Sequence, residues 1–139
     1  MGSIPSTPTK ETPMESFQYK YKARVIKVVD GDTIDLMIDK GFSDFSKKRV
    51  RLYDIDTPEI HGVKKDSEEF KAGMVAKDFV RAKLSPLTPT DYVVVETIKD
   101  KIGKYGRYLA KIWYLEDAAR KEWKCINDEL LEKGLATEY

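Results

Sequence analysis

The 139 residues hold one cysteine, Cys125, and one histidine, His61. That excludes a disulfide scaffold, a Cys/His zinc site and any metal site that needs two histidines. Cys125 lies between Trp123 and Ile126, where it reads as a core or boundary residue. No apolar run approaches the length that crosses a bilayer, and the N-terminus lacks the charged-then-apolar pattern of a signal peptide. A cytoplasmic setting, bacterial or phage, is therefore favoured over secretion, with no membrane partner. Charge of one sign is also missing: 25 Lys and Arg stand against 24 Asp and Glu. A strongly basic chain would point to nucleic acid through counterion release, and this one does not. Any nucleic-acid binding must come from local patches. The candidates are Lys47, Lys48, Arg49 and Arg51, then Lys64 and Lys65, then Lys99, Lys101, Lys104 and Arg107. Most of these lysines are expected simply to be solvated surface.

With 41% hydrophobic and 35% charged residues, the composition is that of one globular domain with a single core. Met1 to about Ser16 departs from it, being rich in Ser, Thr and Pro, with Pro5, Pro8 and Pro13. Too little apolar surface is available there to offset the entropy of ordering, so residues 1–16 are expected to form a disordered tail. The folded domain is expected over 17–139.

Five strand-like segments follow. Tyr19 to Val29 alternates Tyr21, Ala23 and Val25 against Lys20, Lys22 and Arg24, and Thr33 to Asp39 sets Ile34, Leu36 and Ile38 against Thr33, Asp35 and Asp39. Asp30-Gly31-Asp32 between them signals a tight turn and hence an antiparallel hairpin. Lys48–Ile55, Tyr92–Ile98 and Arg107–Tyr114 complete the set. Between the third and fourth strands the period becomes helical. Asp66 with Glu69 makes a capping-box-like start, and Phe70, Met74, Ala76 or Val75, Phe79 and Val80 make an apolar stripe. Pro86 and Pro89 mark its end. A second helix is expected from Asn127, as N-cap, through Leu130 and Leu131 to Lys133-Gly134. The fold class is thus α+β, mainly β: a five-stranded OB-fold barrel with a helix between strands 3 and 4 and a C-terminal helix.

Three short segments carry reactive side chains: Asp30-Gly31-Asp32-Thr33, then Arg51-Leu52-Tyr53-Asp54-Ile55-Asp56-Thr57-Pro58-Glu59, then Gly103-Lys104-Tyr105-Gly106-Arg107. Their residue types suit phosphodiester hydrolysis. The transition state places extra negative charge on equatorial phosphate oxygens, which a planar guanidinium grips through paired N–H donors. A hard divalent cation neutralises charge from another side and takes oxygen ligands. A further carboxylate orients or deprotonates the water. Each residue also has a plain structural use: the Asp-Gly-Asp as a turn, Asp56-Thr57-Pro58 as a helix entry, Arg51 as the partner of a sheet acid.

In order and spacing, the three segments resemble the staphylococcal nuclease (thermonuclease) family over about Tyr21 to Ala136. The resemblance implies Asp32 and Asp56 as ligands of Ca2+, with the Thr57 carbonyl beside them and Asp30 as a further nearby acid. It implies Arg51 and Arg107 as the catalytic arginines and Glu59 as the residue holding the attacking water. It implies that Lys104 and Tyr105 contact a terminal phosphate of bound nucleotide. The activity so implied is calcium-dependent hydrolysis of DNA and RNA, single-stranded or locally open, with little sequence preference and 3′-phosphate ends, by a monomer. His61, just after the motif, either touches substrate or is a loop residue without a role.

The sequence departs from the family pattern in places. Asp39 to Lys48 looks longer than the family's hairpin loop, and Tyr114 to Trp123 is likewise extended. The archetype continues into a third helix past the position of Tyr139, which lies near that of a substrate-side tyrosine. Two other readings compete. A non-catalytic barrel that binds nucleic acid or protein is disfavoured because Arg51, Glu59 and Arg107 are all present. A plain OB-fold single-strand binder, stacking bases on Tyr53, Tyr105, Tyr108 and Trp113, leaves Asp32, Asp56 and Glu59 unexplained.

Overall fold

A computed structural model describes residues 19–84, 92–102, 108–117 and 119–139. The expected tail at 1–16, the prolines at 86 and 89, and Lys104, Tyr105 and Arg107 lie outside the described residues, as do the side chains of Lys99 and Lys101.

β1 (Lys20–Asp30) and β2 (Thr33–Asp39) form the expected hairpin about Asp30-Gly31-Asp32. β2 pairs antiparallel with β3 (Phe45–Leu52), and β1 pairs on its other side with β5 (Val93–Ile102), which pairs with β6 (Tyr108–Asp117). A parallel pairing of β3 with β6, Val50 opposite Tyr108 and Leu52 opposite Ala110, closes the five strands into a barrel. Closure removes the exposed edges that an open sheet would leave. β4 (Ile55–Asp56) stands outside the barrel and pairs with β8 (Thr137–Glu138). The extended stretch after Tyr114 is a hairpin from β6 into β7 (Glu122–Cys125).

The third strand differs from its expected span of Lys48–Ile55. It begins earlier, at Phe45, because half of the segment from Asp39 to Lys48 is ladder: Asp39 pairs with Phe45, and Lys40 to Asp44 turn. It ends earlier, at Leu52, because Asp54 takes a left-handed conformation (φ 68°) that breaks the extended run. That break takes the backbone of Ile55 and Asp56 out of the β3 ladder, while the Ile55 side chain stays in the core.

α1 (Glu68–Leu84) plugs the barrel, with Gly73, Ala76, Val80 and Leu84 on its buried face. The buried position of the pair Val75/Ala76 is Ala76, since Val75 is exposed. Its cap is also not the expected one. Ser67 Oγ accepts the Phe70 N–H at 3.1 Å, while Glu69 reaches away to another loop. α2 (Ile126–Glu132) ends as expected, with Gly134 at φ 72°. Its start again differs: Asn127 is no cap but a core amide, 2% exposed. Asn127 Oδ1 accepts the Ile112 N–H at 3.1 Å, and Nδ2 donates to the carbonyls of Tyr53 (3.1 Å) and Ala110 (3.2 Å). The interior demanded those three bonds, because buried backbone groups without partners are costly. Ile34, Leu36, Leu52, Ile112, Val80, Leu84, Ile126 and Leu130 are fully excluded from solvent, each contributing on the order of 2 kcal/mol of transfer free energy. Cys125 is buried and free, as expected. Among the described residues no helix is long and apolar enough to cross a membrane.

Candidate active site

The β1–β2 turn, the end of β3 and the segment from β4 to α1 meet at one end of the barrel. Asp32 is fixed at its centre. Its Oδ2 accepts the Thr57 N–H at 3.1 Å, its Oδ1 accepts the Thr33 hydroxyl at 3.2 Å, and its carbonyl accepts the Leu52 N–H at 2.8 Å. Asp30 Oδ1 accepts the Asp32 N–H at 3.1 Å, the bond that the turn geometry supplies. Glycine is needed between the two acids for space. A Cβ on Gly31 would lie 2.9 Å from both Ala76 Cβ of α1 and the Thr57 side chain.

Arg51 projects from the outer face of β3 into this cluster. Its Nη2 donates to Asp56 Oδ1 at 3.0 Å and lies 3.6 Å from Asp32 Oδ2, while the guanidinium sits over the Tyr139 ring, 4.6 Å from its centroid. Arg51 and Asp32 are both under a tenth exposed, whereas the Asp56 side chain is half exposed. The Tyr139 N–H donates to the Asp54 carbonyl, which holds the chain end against the turn that frees Asp56. Tyr139 thus occupies a place beside the cluster.

Charge here is unbalanced, with Asp30, Asp32 and Asp56 set around one arginine. Burial, then the neighbouring Asp32 carboxylate, pushes the Asp30 carboxyl up to about 6. Asp32 moves the other way. Burial opposes its ionisation, but a hydrogen bond from the Asp30 carboxyl, the Thr57 N–H and the Arg51 guanidinium together hold it below the usual carboxylate range. His61, exposed, brings Nε2 to 3.9 Å from Asp30 Oδ2.

Glu59 stands apart from that cluster. Its Oε1 accepts the N–H groups of Ile60 and His61, both at 3.1 Å, and among the described residues nothing donates to Oε2. The segment that carries it is clamped against α1: the Glu59 N–H donates to Glu69 Oε2 at 3.2 Å. A Cβ on Gly73 would lie 2.4 Å from Ile60 Cγ2 and 2.7 Å from the Pro58 carbonyl. The role of Glu69 escaped the sequence reading, which used that residue as a helix cap. An open groove of about 300 Å³, lined by Asp56, Thr57, Pro58, Glu69, Leu135 and Ala136, runs beside the cluster.

Of the residues singled out from the sequence, the structure brings Asp32, Arg51, Asp56 and Thr57 together, with Asp30 behind them, and sets Glu59 on the adjoining loop. Among the described residues no group of three His, Cys, Asp or Glu side chains is poised around a common point for a metal ion. The two carboxylates that share Arg51 Nη2, those of Asp32 and Asp56, are hard oxygen donors in a region with excess negative charge. That donor set fits a hard divalent cation, held by a carboxylate pair.

Comparison with known proteins agrees with this architecture. A family model described as staphylococcal nuclease homologue matches residues 49–139. A thermonuclease of Staphylococcus hyicus is 33% identical over 113 residues, 81% of this chain and 56% of that protein. A thermonuclease of Staphylococcus intermedius is 35% identical over 112 residues, again 81% of this chain and 56% of the relative. The endonuclease YhcR of Bacillus subtilis is 29% identical over 127 residues, 89% of this chain and 9% of that much longer protein. The chain thus spans about half the length of the curated thermonucleases it matches. With that match running from Arg49 of β3 through Arg51 and Asp56 to Tyr139, the chain belongs to the staphylococcal nuclease homologue family.

Proposed function

We propose that this protein is a calcium-dependent nuclease that hydrolyses phosphodiester bonds of DNA and RNA with little sequence preference and leaves 3′-phosphate ends. The observation that carries the reading is Arg51, a buried guanidinium outnumbered by the acids around it. A purely structural ion pair needs one acid for one base. A surplus of buried carboxylate with a planar cation among them suits a site that receives a metal ion and an anionic substrate.

In this reading the Asp32 and Asp56 carboxylates and the Thr57 carbonyl hold Ca2+, which when bound supplies Lewis-acid charge neutralisation at a phosphate oxygen. Arg51 turns its paired N–H donors to the phosphate, and Arg107 of the sequence motif is the second arginine that the family resemblance assigns to it. Glu59 holds the attacking water at Oε2 and takes its proton. The water oxygen bonds to phosphorus as the bond to the 5′ oxygen breaks, and that oxygen takes a proton from solvent, leaving a 3′-phosphate and a 5′-hydroxyl. Lys104 and Tyr105 contact a terminal phosphate of bound nucleotide. Because these groups address phosphate alone, base identity has little influence.

Cleavage of single- and double-stranded DNA with added calcium, against a chelator control and Glu59→Gln, tests the reading. Calcium-dependent cutting that the variant loses is expected; no cutting by folded protein that still binds DNA would leave only a binding module. Calcium at ten times its dissociation constant should also add about 1.4 kcal/mol of stability, raising the melting temperature by roughly 4 °C for a domain of this size. Asp32→Asn should abolish that rise.

A further inference from the structure

We infer that the outer face of β1, β2 and β3 is a second binding surface, a track along which a single nucleic-acid strand lies as it enters the Arg51 site. The inference rests on the nuclease reading for its direction of travel but on separate residues for its contacts. In a strand every second side chain shares a face, so Lys47, Arg49 and Arg51 of β3 form one row. Their spacing is two residue rises, roughly 6.7 Å, which is of the order of the distance between neighbouring phosphates in an extended strand. The pairing register sets this row beside the others: Lys22 with Asp39 and Phe45, Arg24 with Met37 and Lys47, Lys27 and Asp35 with Arg49, and then Thr33 with Arg51. Lys48 is excluded, because it faces the barrel mouth, where its Nζ sits 5.4 Å from the centroid of the Tyr108 ring.

A chain of nearly zero net charge makes this face informative. Lys22, Arg24, Lys27, Lys47 and Arg49 stand against Asp35 and Asp39, with Asp30 at the Arg51 end, and all five cations are exposed. Asp35 does not cancel them. It binds Arg49 through both oxygens, at 2.7 and 3.2 Å, which points a fixed guanidinium along the row while Lys27 and Lys47 remain. At the far end an open groove of about 410 Å³ is lined by Lys22, Arg24, Met37, Asp39, Phe45 and Tyr92. Phe45 is 58% exposed and Phe42, on the adjacent turn, is wholly exposed. Exposed aromatics interleaved with cations suit a single strand, whose bases stack while its phosphates pair. A duplex would hide those base faces.

The experiment pairs a two-nucleotide substrate with a twelve-nucleotide strand, on the wild type and on Lys22→Ala/Arg24→Ala/Lys47→Ala. A charge-matched control, Lys71→Ala/Arg81→Ala/Lys133→Ala, lies on the helices. The track variant should cut the two-nucleotide substrate at the wild-type rate. It should bind the twelve-nucleotide strand at least tenfold more weakly by fluorescence anisotropy. Its slope of log affinity against log salt should fall by about 2, some 0.7 for each lost phosphate contact. Unchanged binding of the long strand, an equal loss in the control, or an equal loss on both substrates would overturn the track. So would binding of anionic phospholipid vesicles through this face in place of the strand. If the wild type cuts neither substrate, the nuclease reading fails, and the anisotropy arm still decides the track by itself.

Discussion

Two arginines two residues apart on β3 face the same way, and each meets aspartate; yet their surroundings differ. Arg49 pairs with Asp35 alone, through two well-formed bonds, with its own side chain half exposed. Arg51 is buried and shares its Nη2 between Asp56 and Asp32, with Asp30 just behind. The first pair is balanced and its arginine is half open to solvent, where such a bridge contributes less than about 1 kcal/mol. The second is unbalanced, with Arg51 and Asp32 buried and only Asp56 half open, and each unmatched charge buried there is costly. The backbone of β3 treats the two positions alike. What separates them is the cover that β4, β8 and Tyr139 lay over Arg51, and the acids that the Asp30-Gly31-Asp32 turn delivers beneath it.

The largest effect should come from breaking that difference directly. Arg51→Lys keeps a cation but loses the planar pair of donors, so turnover of a two-nucleotide substrate should fall by about 10²- to 10³-fold. Arg49→Lys should change it by less than about threefold, since one exposed cation replaces another. Steady-state rates on the two variants, with circular dichroism to confirm folding, make the measurement. Equal losses would mean that the surplus of acid does not mark the reactive arginine.

The buried arginine also leans on a brace that the exposed one lacks. Behind β3, Asn127 ties the Tyr53 carbonyl at the end of the strand to Ala110 and Ile112 of β6. Asn127→Ala takes the side-chain partner from the Ile112 N–H and the Tyr53 carbonyl in the interior, while the Ala110 carbonyl still accepts the Tyr53 N–H. Roughly 2–3 kcal/mol of stability should be lost. Urea denaturation measures it. A loss below about 0.5 kcal/mol would show that the amide is dispensable and that backbone closure alone holds Tyr53.

Much of this was legible from spacing. Period-two alternation located β1 and β2 almost to the residue, whereas the register that sets Arg49 opposite Asp35 and Arg51 opposite Thr33 is a property of the folded sheet. The acids beside Arg51 followed from the motif and from the turn that delivers Asp32. What spacing did not carry was any choice settled by the neighbours of a residue. Asp54 turned left-handed and cut β3 short, because Ile55 and Asp56 have β8 to pair with. Glu69 and Asn127 look like caps, yet each satisfies a backbone group far away in sequence, at Glu59 and at Tyr53. The cluster Lys47-Lys48-Arg49-Arg51 read as one patch, but the pleat sends Lys48 to the barrel mouth. Local chemistry proposes such roles; the three-dimensional partners assign them.

The smallest effect tests the balanced pair. Asp35 is held below its usual carboxylate range, first by the hydrogen bond from Arg49, with Lys47 and Lys27 adding to it. A carboxylate with a depressed folded-state pKa favours the folded state above its unfolded value, near 4, and that contribution fades as pH falls through the folded value. Asp35→Asn should therefore lower stability by less than about 1 kcal/mol at pH 7, given the exposure of Arg49. The gap to wild type should close steadily as pH falls below about 4. Melting temperatures of the two proteins across that window make the comparison. A gap that stays constant with pH would show that the Asp35 side chain acts through its packing against β1 and β3, with its charge playing no part.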